Sequence, residues 1–386
     1  MDRRFDNDGC AIQQAPSSSG RRGRASSRGG SSSVACSATT TSAPPSSSRS
    51  QVENITYRDT LKREGVVLLP RTTDIPRAIT ELVERVGRRR SSPGPSVRDV
   101  LADTDLEALE GGSTGTPESL VQQYFQRKVF PPSDAGKDPI EFSVQLPILS
   151  HAIPRTPDGL SRKGISVPVP DLLYGYKFAS FAIQQQNYLE DKGYGLQATT
   201  YQLYLPFLVV EFKGEGGVLR VATNQCLGGS ACCINIIERL NQLVHNCPSA
   251  PASLPTLDGA VFSIAMDGNL ARLLVSWQRE DGGYDTARVR DFAVQEPEQY
   301  IAFRAYVLNI IDWGRKQRWQ QVCAALDILA EERLREAAAG LKARDPPSPP
   351  QRPDSITSGD SGGKRQRNAH PGLGTGSEYG RIGVAL

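Results

Sequence analysis

Two short stretches carry the residue types that hydrolytic chemistry needs. Pro170-Asp171 precedes an apolar run, and Glu211-Phe212-Lys213 closes the strongest strand candidate in the chain, 203–213. Residues two apart on a strand face the same side. Glu211 and Lys213 therefore project together, while Phe212 turns into the core. With Asp171 at the end of a neighbouring strand, two carboxylates and an ammonium would meet at one sheet edge. Carboxylate oxygens are hard ligands for Mg²⁺, which keeps several of its waters. A lysine beside them can stabilise phosphate charge or help activate water, and metal-assisted phosphodiester hydrolysis needs this set of parts. The bland alternative is a buried strand that reaches solvent and ends in a charged pair before a glycine turn.

Other candidates carry less. Glu118 falls in the first turn of a predicted helix, where the helix dipole already accounts for an acid. A carboxylate there would still be placed to join the site. Cys226, Cys232, Cys233, His245 and Cys247 have a spacing that fits no zinc pattern, so no zinc is expected. Cys232 and Cys233 read as small apolar side chains. Gly228-Gly229 lacks the spacing of a phosphate loop and reads as close helix–sheet packing.

The elements that must position these residues follow from periodicity and turn chemistry. Helices are expected over 57–65, 74–86, 96–109 and 116–129. Asp74 is the expected cap of the second, and Pro117 the expected first residue of the fourth. On that fourth helix Leu120, Val121, Tyr124 and Phe125 share one side. From residue 140 the pattern becomes extended: 141–146, 167–173, 203–213 and a short strand at 218–222. The near-continuous apolar run at 203–213 suits a strand buried on both faces. A helix over 230–245 precedes strands at 260–266, 271–277 and 284–289, the first two joined through Asp267-Gly268-Asn269 as a hairpin. The stretch 296–342 reads as helical, broken at Asp312-Trp313-Gly314.

This organises the chain as a disordered Ser/Arg-rich tail (1–52), a helical segment packed on the core (53–130), an α/β core (131–320), a C-terminal helix (321–344) and a second disordered tail (345–386). The chain of 386 residues carries a formal net charge of +3, but residues 1–50 hold +4 and 345–386 hold +1, leaving 51–344 at −2. A slightly acidic centre does not support nucleic-acid binding by overall charge. A local basic groove would be needed, and Lys177, Lys192, Lys213 and Arg220 are the candidates to form one. No apolar run approaches the ~20 residues of a membrane span, so no membrane partner is expected. No secretory signal is read at the N-terminus, and the sparse, odd cysteine count fits an intracellular compartment. Arg21-Arg22-Gly23-Arg24, Arg88-Arg89-Arg90 and Lys364-Arg365-Gln366-Arg367 favour the nucleus. Oligomeric state is not legible.

Pro170-Asp171 and Glu211-Phe212-Lys213 resemble the two motif elements of the PD-(D/E)XK, or restriction-endonuclease-like, superfamily. The resemblance implies an α/β fold with a mixed central sheet flanked by helices. It also implies a Mg²⁺ site made by Asp171, Glu211 and the carbonyl of Phe212, with Lys213 assisting the attacking water. Gln225 corresponds to a glutamine that helps place substrate or lysine in some nucleases of this type, and nucleic acid is the implied partner. The separation of 40 residues between Asp171 and Glu211 requires an insertion around 177–197. Longer stretches are similar to an uncharacterised family of fungal proteins with a nuclease-like core. They include 170–176, 207–214, 222–231, 262–265, 275–277 and 309–314, and the likeness covers roughly 55–320. That second resemblance brings a fold and no known activity. The alternative to a metal-dependent nuclease is a catalytically degenerate nuclease fold kept as a nucleic-acid or protein interaction module, which the acidic centre favours.

Overall fold

The computed structural model of the chain describes residues 4–5, 11–12, 48–91, 94–111, 115–131, 138–154, 164–251 and 257–342. The tail expectations for 1–52 and 345–386 fall almost wholly outside these residues. The exceptions are the antiparallel pair Arg4–Phe5 and Ala11–Ile12 and the short helix Ser48–Glu53. Every contact described below lies within the unit Met1–Ala339.

Helix α1 (Tyr57–Arg63) turns Tyr57, Thr60 and Leu61 inward and stops before Gly65, whose φ of 78° ends it. A three-residue strand, β1 (Val66–Leu68), follows within the stretch expected to be purely helical. Helix α2 (Arg77–Val86) buries Ile79, Leu82 and Val86, three and four residues apart. Asp74 does not cap it. Pro76 does, with no side-chain hydrogen bond, because proline biases the residue before it away from the helical region. The helix expected over 96–109 is broken into Val97–Leu101, Thr104–Glu107 and a 3₁₀ turn, Ala108–Glu110. Asp103 interrupts it by accepting the N–H groups of Asp105 and Leu106, which starts a new turn. Helix α3 (Glu118–Lys128) buries Val121, Tyr124 and Phe125, but Leu120 is exposed and Pro117 is the cap rather than the first helical residue.

The remaining elements are β2 (Ile140–Val144), β3 (Leu172–Lys177), α4 (Ile183–Asp191), β4 (Leu203–Phe212), α5 (Leu219–His245), β5 (Val261–Met266), β6 (Leu270–Gln278), β7 (Tyr284–Ala293), α6 (Pro297–Trp313) and α7 (Trp319–Lys342). The insertion required between the two motif strands is there: α4, flanked by two 3₁₀ turns, fills 178–202. Seven strands form one mixed sheet in the order β1-β7-β6-β5-β4-β3-β2. The pairs β1/β7 and β4/β5 are parallel and the others antiparallel. Strand β4 lies inside this sheet and is buried at every position, as its unbroken apolar sequence requires.

Three sequence expectations fail here for physical reasons. The strand expected at 167–173 begins only at Leu172, since Pro168 and Pro170 have no N–H for a ladder. Their carbonyls instead accept the N–H groups of Ile148 and Gln145. No strand forms at 218–222, because α5 starts at Leu219 and runs on through Ser230. Its two glycines allow that continuity against the sheet. A Cβ at Gly229 would come within 3.2 Å of Val209 Cγ1, and one at Gly228 within 3.3 Å of Ile165 Cγ2. The expected break at Asp312-Trp313-Gly314 is a π turn, Gly314–Arg318, that joins α6 to α7 without a loop. Among the described residues no helix is long and apolar enough to cross a membrane.

Candidate active site at the β3–β4 edge

Antiparallel pairing sets Leu172 opposite Val210, so the register places Asp171, one residue further out, opposite Glu211. The side chain of Asp171 clasps the neighbouring strand: Oδ2 accepts the Phe212 N–H at 2.7 Å and Oδ1 accepts Gln145 Nε2 at 3.3 Å. Glu211 is buried, and neither of its carboxylate oxygens has a hydrogen-bond partner among the described residues. Phe212 faces away into the core, its ring edge-on to Phe130 at 5.9 Å. Lys213 Nζ reaches Glu118 Oε2 at 3.3 Å and also donates to the Phe212 carbonyl. The loop after β4 is pressed onto the start of α3. A Cβ on Gly214 would lie 2.6 Å from the Glu118 nitrogen, so only glycine lets Lys213 and Glu118 meet.

These groups bear more negative than positive charge in a place shielded from water. Burial pushes the Glu211 carboxyl well above the ordinary range, the nearby Asp171 adds to this, and Lys213 only partly offsets it. Burial also raises Asp171, against the Phe212 N–H and Lys213. A buried carboxylate without donors is normally costly enough to be eliminated. Retaining two side by side calls for a proton or a cation between them.

Asp171 and Lys213 open on a cleft of about 780 Å³ whose walls also include Glu118, Arg220, Asn224 and Gln225, while the buried Glu211 is not itself part of the wall. Gln225 stands in α5, and its Oε1 is buried without a partner. The structure therefore brings Asp171, Glu211, Phe212, Lys213 and Gln225 to one end of the sheet, with Glu118 beside them. Lys177 and Lys192 are not part of the cleft wall. Lys177 pairs with Leu203 at the far end of β3, so only Lys213 and Arg220 of the four candidate cations are delivered.

A family model described as a domain of unknown function, DUF7924, matches residues 113–326, more than half of the chain. The chain belongs to the DUF7924 family. Comparison with curated proteins and with solved structures returns no match. The DUF7924 segment contains every site residue named so far, from Glu118 to Gln225. Part of the cleft wall, Val52 and Tyr57, comes from outside it.

The DUF7924 site fits a divalent cation on its own chemistry. Glu211 offers two oxygens that no donor uses, the Asp171 oxygens keep lone pairs beyond the Phe212 N–H and Gln145 Nε2 they already accept, and the Phe212 carbonyl is a further ligand atom once Lys213 moves off it. Mg²⁺ is commonly held by one or two carboxylates with water completing its shell. Among the described residues no group of three or more His, Cys, Asp or Glu side chains is arranged to hold a metal, so two carboxylates are what these residues supply. The two cysteines expected to be apolar packing residues, Cys232 and Cys233, are buried, and so is Cys226. Sequence reasoning misses Gln145, which fixes Asp171 from a backbone with φ of 50°, and no spacing signals it. Two of the three basic clusters lie outside the described residues. In the third, Arg90 is taken by Asp312 and Asn309.

Proposed function

We propose that this DUF7924 protein is a Mg²⁺-dependent hydrolase of phosphodiester bonds in nucleic acid, with its chemistry at the β3–β4 edge. The observation that carries the reading is Glu211: a buried carboxylate with both oxygens free of donors, set across from Asp171 and next to Lys213. The fold is in keeping with the PD-(D/E)XK resemblance, since the two motif strands are antiparallel neighbours between α3 and α5. A divalent cation held by Glu211, Asp171 and the Phe212 carbonyl would supply Lewis-acid charge for a phosphoryl oxygen. Asp171 orients that carbonyl's strand through the Phe212 N–H. Lys213 Nζ supplies positive charge against the phosphate, with Glu118 limiting where it can sit. The attacking water forms the new bond to phosphorus as one ester oxygen leaves, and the proton the water loses reaches that leaving oxygen through solvent. Gln225 Oε1 accepts from that water or from Lys213. A nuclear setting belongs to the same proposal and rests on the basic clusters in the two tails.

Cleavage of DNA and RNA in Mg²⁺ or Mn²⁺ by wild type and by Lys213→Ala tests this. Loss of general acid–base or electrostatic assistance should slow the variant by about 10²–10⁴-fold. Equal rates in both proteins would assign the cleavage elsewhere. One observation favours a second reading, an interaction module without activity: the Lys213 ammonium is already committed to Glu118 and the Phe212 carbonyl. Absence of cleavage by wild type in either metal would select that reading.

A further inference from the structure

The register that places Glu211 also defines a row across the sheet. Glu211 pairs with Ala265, Ala265 with Arg272, and Arg272 with Asp291. Directly paired residues share a face, so Arg272 stands on the same side as Glu211, two strands or about 10 Å away. Helix α5 covers this row. Its Thr223 accepts from Arg272 Nη1 at 3.3 Å. Around Arg272 gather four more arginines from distant parts of the chain. Arg71 and Arg288 join Arg272 in contacting Asp291, at 2.9, 3.3 and 3.1 Å. Arg58 Nε and Nη2 both donate to Asn224 Oδ1, at 2.8 and 2.6 Å. Arg220, in the cleft wall, bonds only the Ile55 carbonyl at 3.5 Å among the described residues. Three of these five guanidiniums thus share the one Asp291 carboxylate, and neither Arg58 nor Arg220 has a carboxylate partner among the described residues.

A second observation points to what they await. Asn224 is fully buried in the cleft wall, and its Nδ2 has no hydrogen-bond partner among the described residues. Guanidinium groups only donate, so Arg58 fixes Oδ1 towards itself and leaves an amide N–H pair that needs an acceptor. Arg220 stands one turn before Asn224 on α5 and lines the same cleft. The arginines repel one another: burial and the charges of Arg220, Arg272 and Arg288 lower Arg58, an imbalance that an anion would relieve.

We infer that Asn224 and Arg220, backed by Arg58, Arg272, Arg288 and Arg71, form a binding track for the phosphodiester backbone of a nucleic acid, leading into the Glu211 site. The spread favours a chain of phosphates over a single small anion. Arg272 is mostly buried next to the cleft, whereas Arg71 is 68% exposed further out. It also answers the charge objection, because the positive charge is local and comes from α1, α5, β6, β7 and the segment after β1 rather than from the lysines near the motifs. The location of the cut relative to this track rests on the hydrolase reading. The binding does not.

The test is fluorescence anisotropy of the full chain with labelled single-stranded DNA, duplex DNA and RNA, in EDTA across a salt series. Wild type should bind at least one of them with a strong salt dependence. Arg220→Ala should lower the slope of log affinity against log salt by about one. Arg58→Gln with Arg220→Ala should weaken binding roughly tenfold or more. Asp291→Asn, which removes the carboxylate shared by Arg71, Arg272 and Arg288, should not weaken it. Arg220 makes so little contact that its variant keeps the wild-type melting temperature, which circular dichroism checks. No binding by wild type, unchanged affinity in the folded double variant, or displacement of oligonucleotide by pyrophosphate at equal phosphate concentration would each overturn the track. Arginine-dependent binding without metal-dependent cleavage would sustain it while overturning the hydrolase reading. Cleavage with arginine-independent binding would do the reverse.

Discussion

Glu211→Gln makes the metal-free protein more stable at neutral pH, by several degrees in melting temperature. Glutamine has nearly the shape of glutamate and no charge, so the exchange removes the desolvation of a carboxylate that no donor compensates. The folded carboxyl is raised above its ordinary value of 4.5, whereas the unfolded one is not. Between those two values the folded state binds more protons than the unfolded state, so wild-type stability falls as pH rises above the unfolded value. The variant lacks this slope at position 211. An unpaired buried polar group costs about 1–3 kcal/mol, more when charged, and 1 kcal/mol moves the melting temperature of a domain this large by about 2–4 °C. Melting in EDTA from about pH 5 to about pH 8 should therefore show the two curves diverging upwards in pH. Saturating Mg²⁺ or Mn²⁺ should reverse the order. At about 100 times its dissociation constant the ion adds about 2.7 kcal/mol to wild type and little to the variant. A variant that is less stable at both pH values would mean that Glu211 has compensating partners in solution.

The largest loss of stability is expected at Arg318, well away from the site. It is fully buried in the π turn between α6 and α7. Its Nη1 donates to the carbonyls of Asp258 and Ala260 at 2.7 and 3.4 Å, and its guanidinium lies 5.2 Å from the Trp313 ring centre and 6.0 Å from that of Phe207. Arg318→Ala leaves a cavity, two carbonyls without their donor and unfilled space beside the aromatic rings. A loss of about 3–5 kcal/mol is expected, read as a lower urea midpoint at unchanged slope. Arg318→Met restores most of the volume but no donor, and should lose only about 1–3 kcal/mol. Equal effects of the two substitutions would contradict this, because the refilled volume would then have restored nothing.

The parts of the site that lie on one strand are legible in the sequence, and the parts that meet across strands are not. Glu211 and Lys213 are assigned to one face by the alternation of side chains at the end of β4, since the irregularity in that strand lies earlier, near Leu205, and Lys213 follows its last residue directly. Asp171 can be named from its motif, yet its partnership with Glu211 depends on α4 and two 3₁₀ turns folding back over 25 residues, 178–202, a pairing no local pattern encodes. The first turn of α5 reads as a strand because Val218-Leu219-Arg220-Val221-Ala222 is a short, mostly apolar run that follows a glycine turn. Only the longer spacing of Ala222, Cys226 and Gly229 against the sheet shows the helix. A strand at that point conceals Thr223 and Asn224, which present the arginine track. The arginines themselves come from sequence positions as far apart as 58 and 288, so charge counting sees only a slightly acidic centre. Helix boundaries shift where one side chain competes with the backbone, as Asp103 does, or where proline limits its neighbour, as at Pro76.

Diffraction at the manganese edge from crystals soaked in Mn²⁺ tests the metal site most directly. Wild type should show an anomalous peak between the Asp171 and Glu211 carboxylates, and Glu211→Gln crystals treated in the same way should show none there. Manganese absent from that position in wild type, or bound only at surface carboxylates in both proteins, would contradict a metal-dependent hydrolase at the β3–β4 edge.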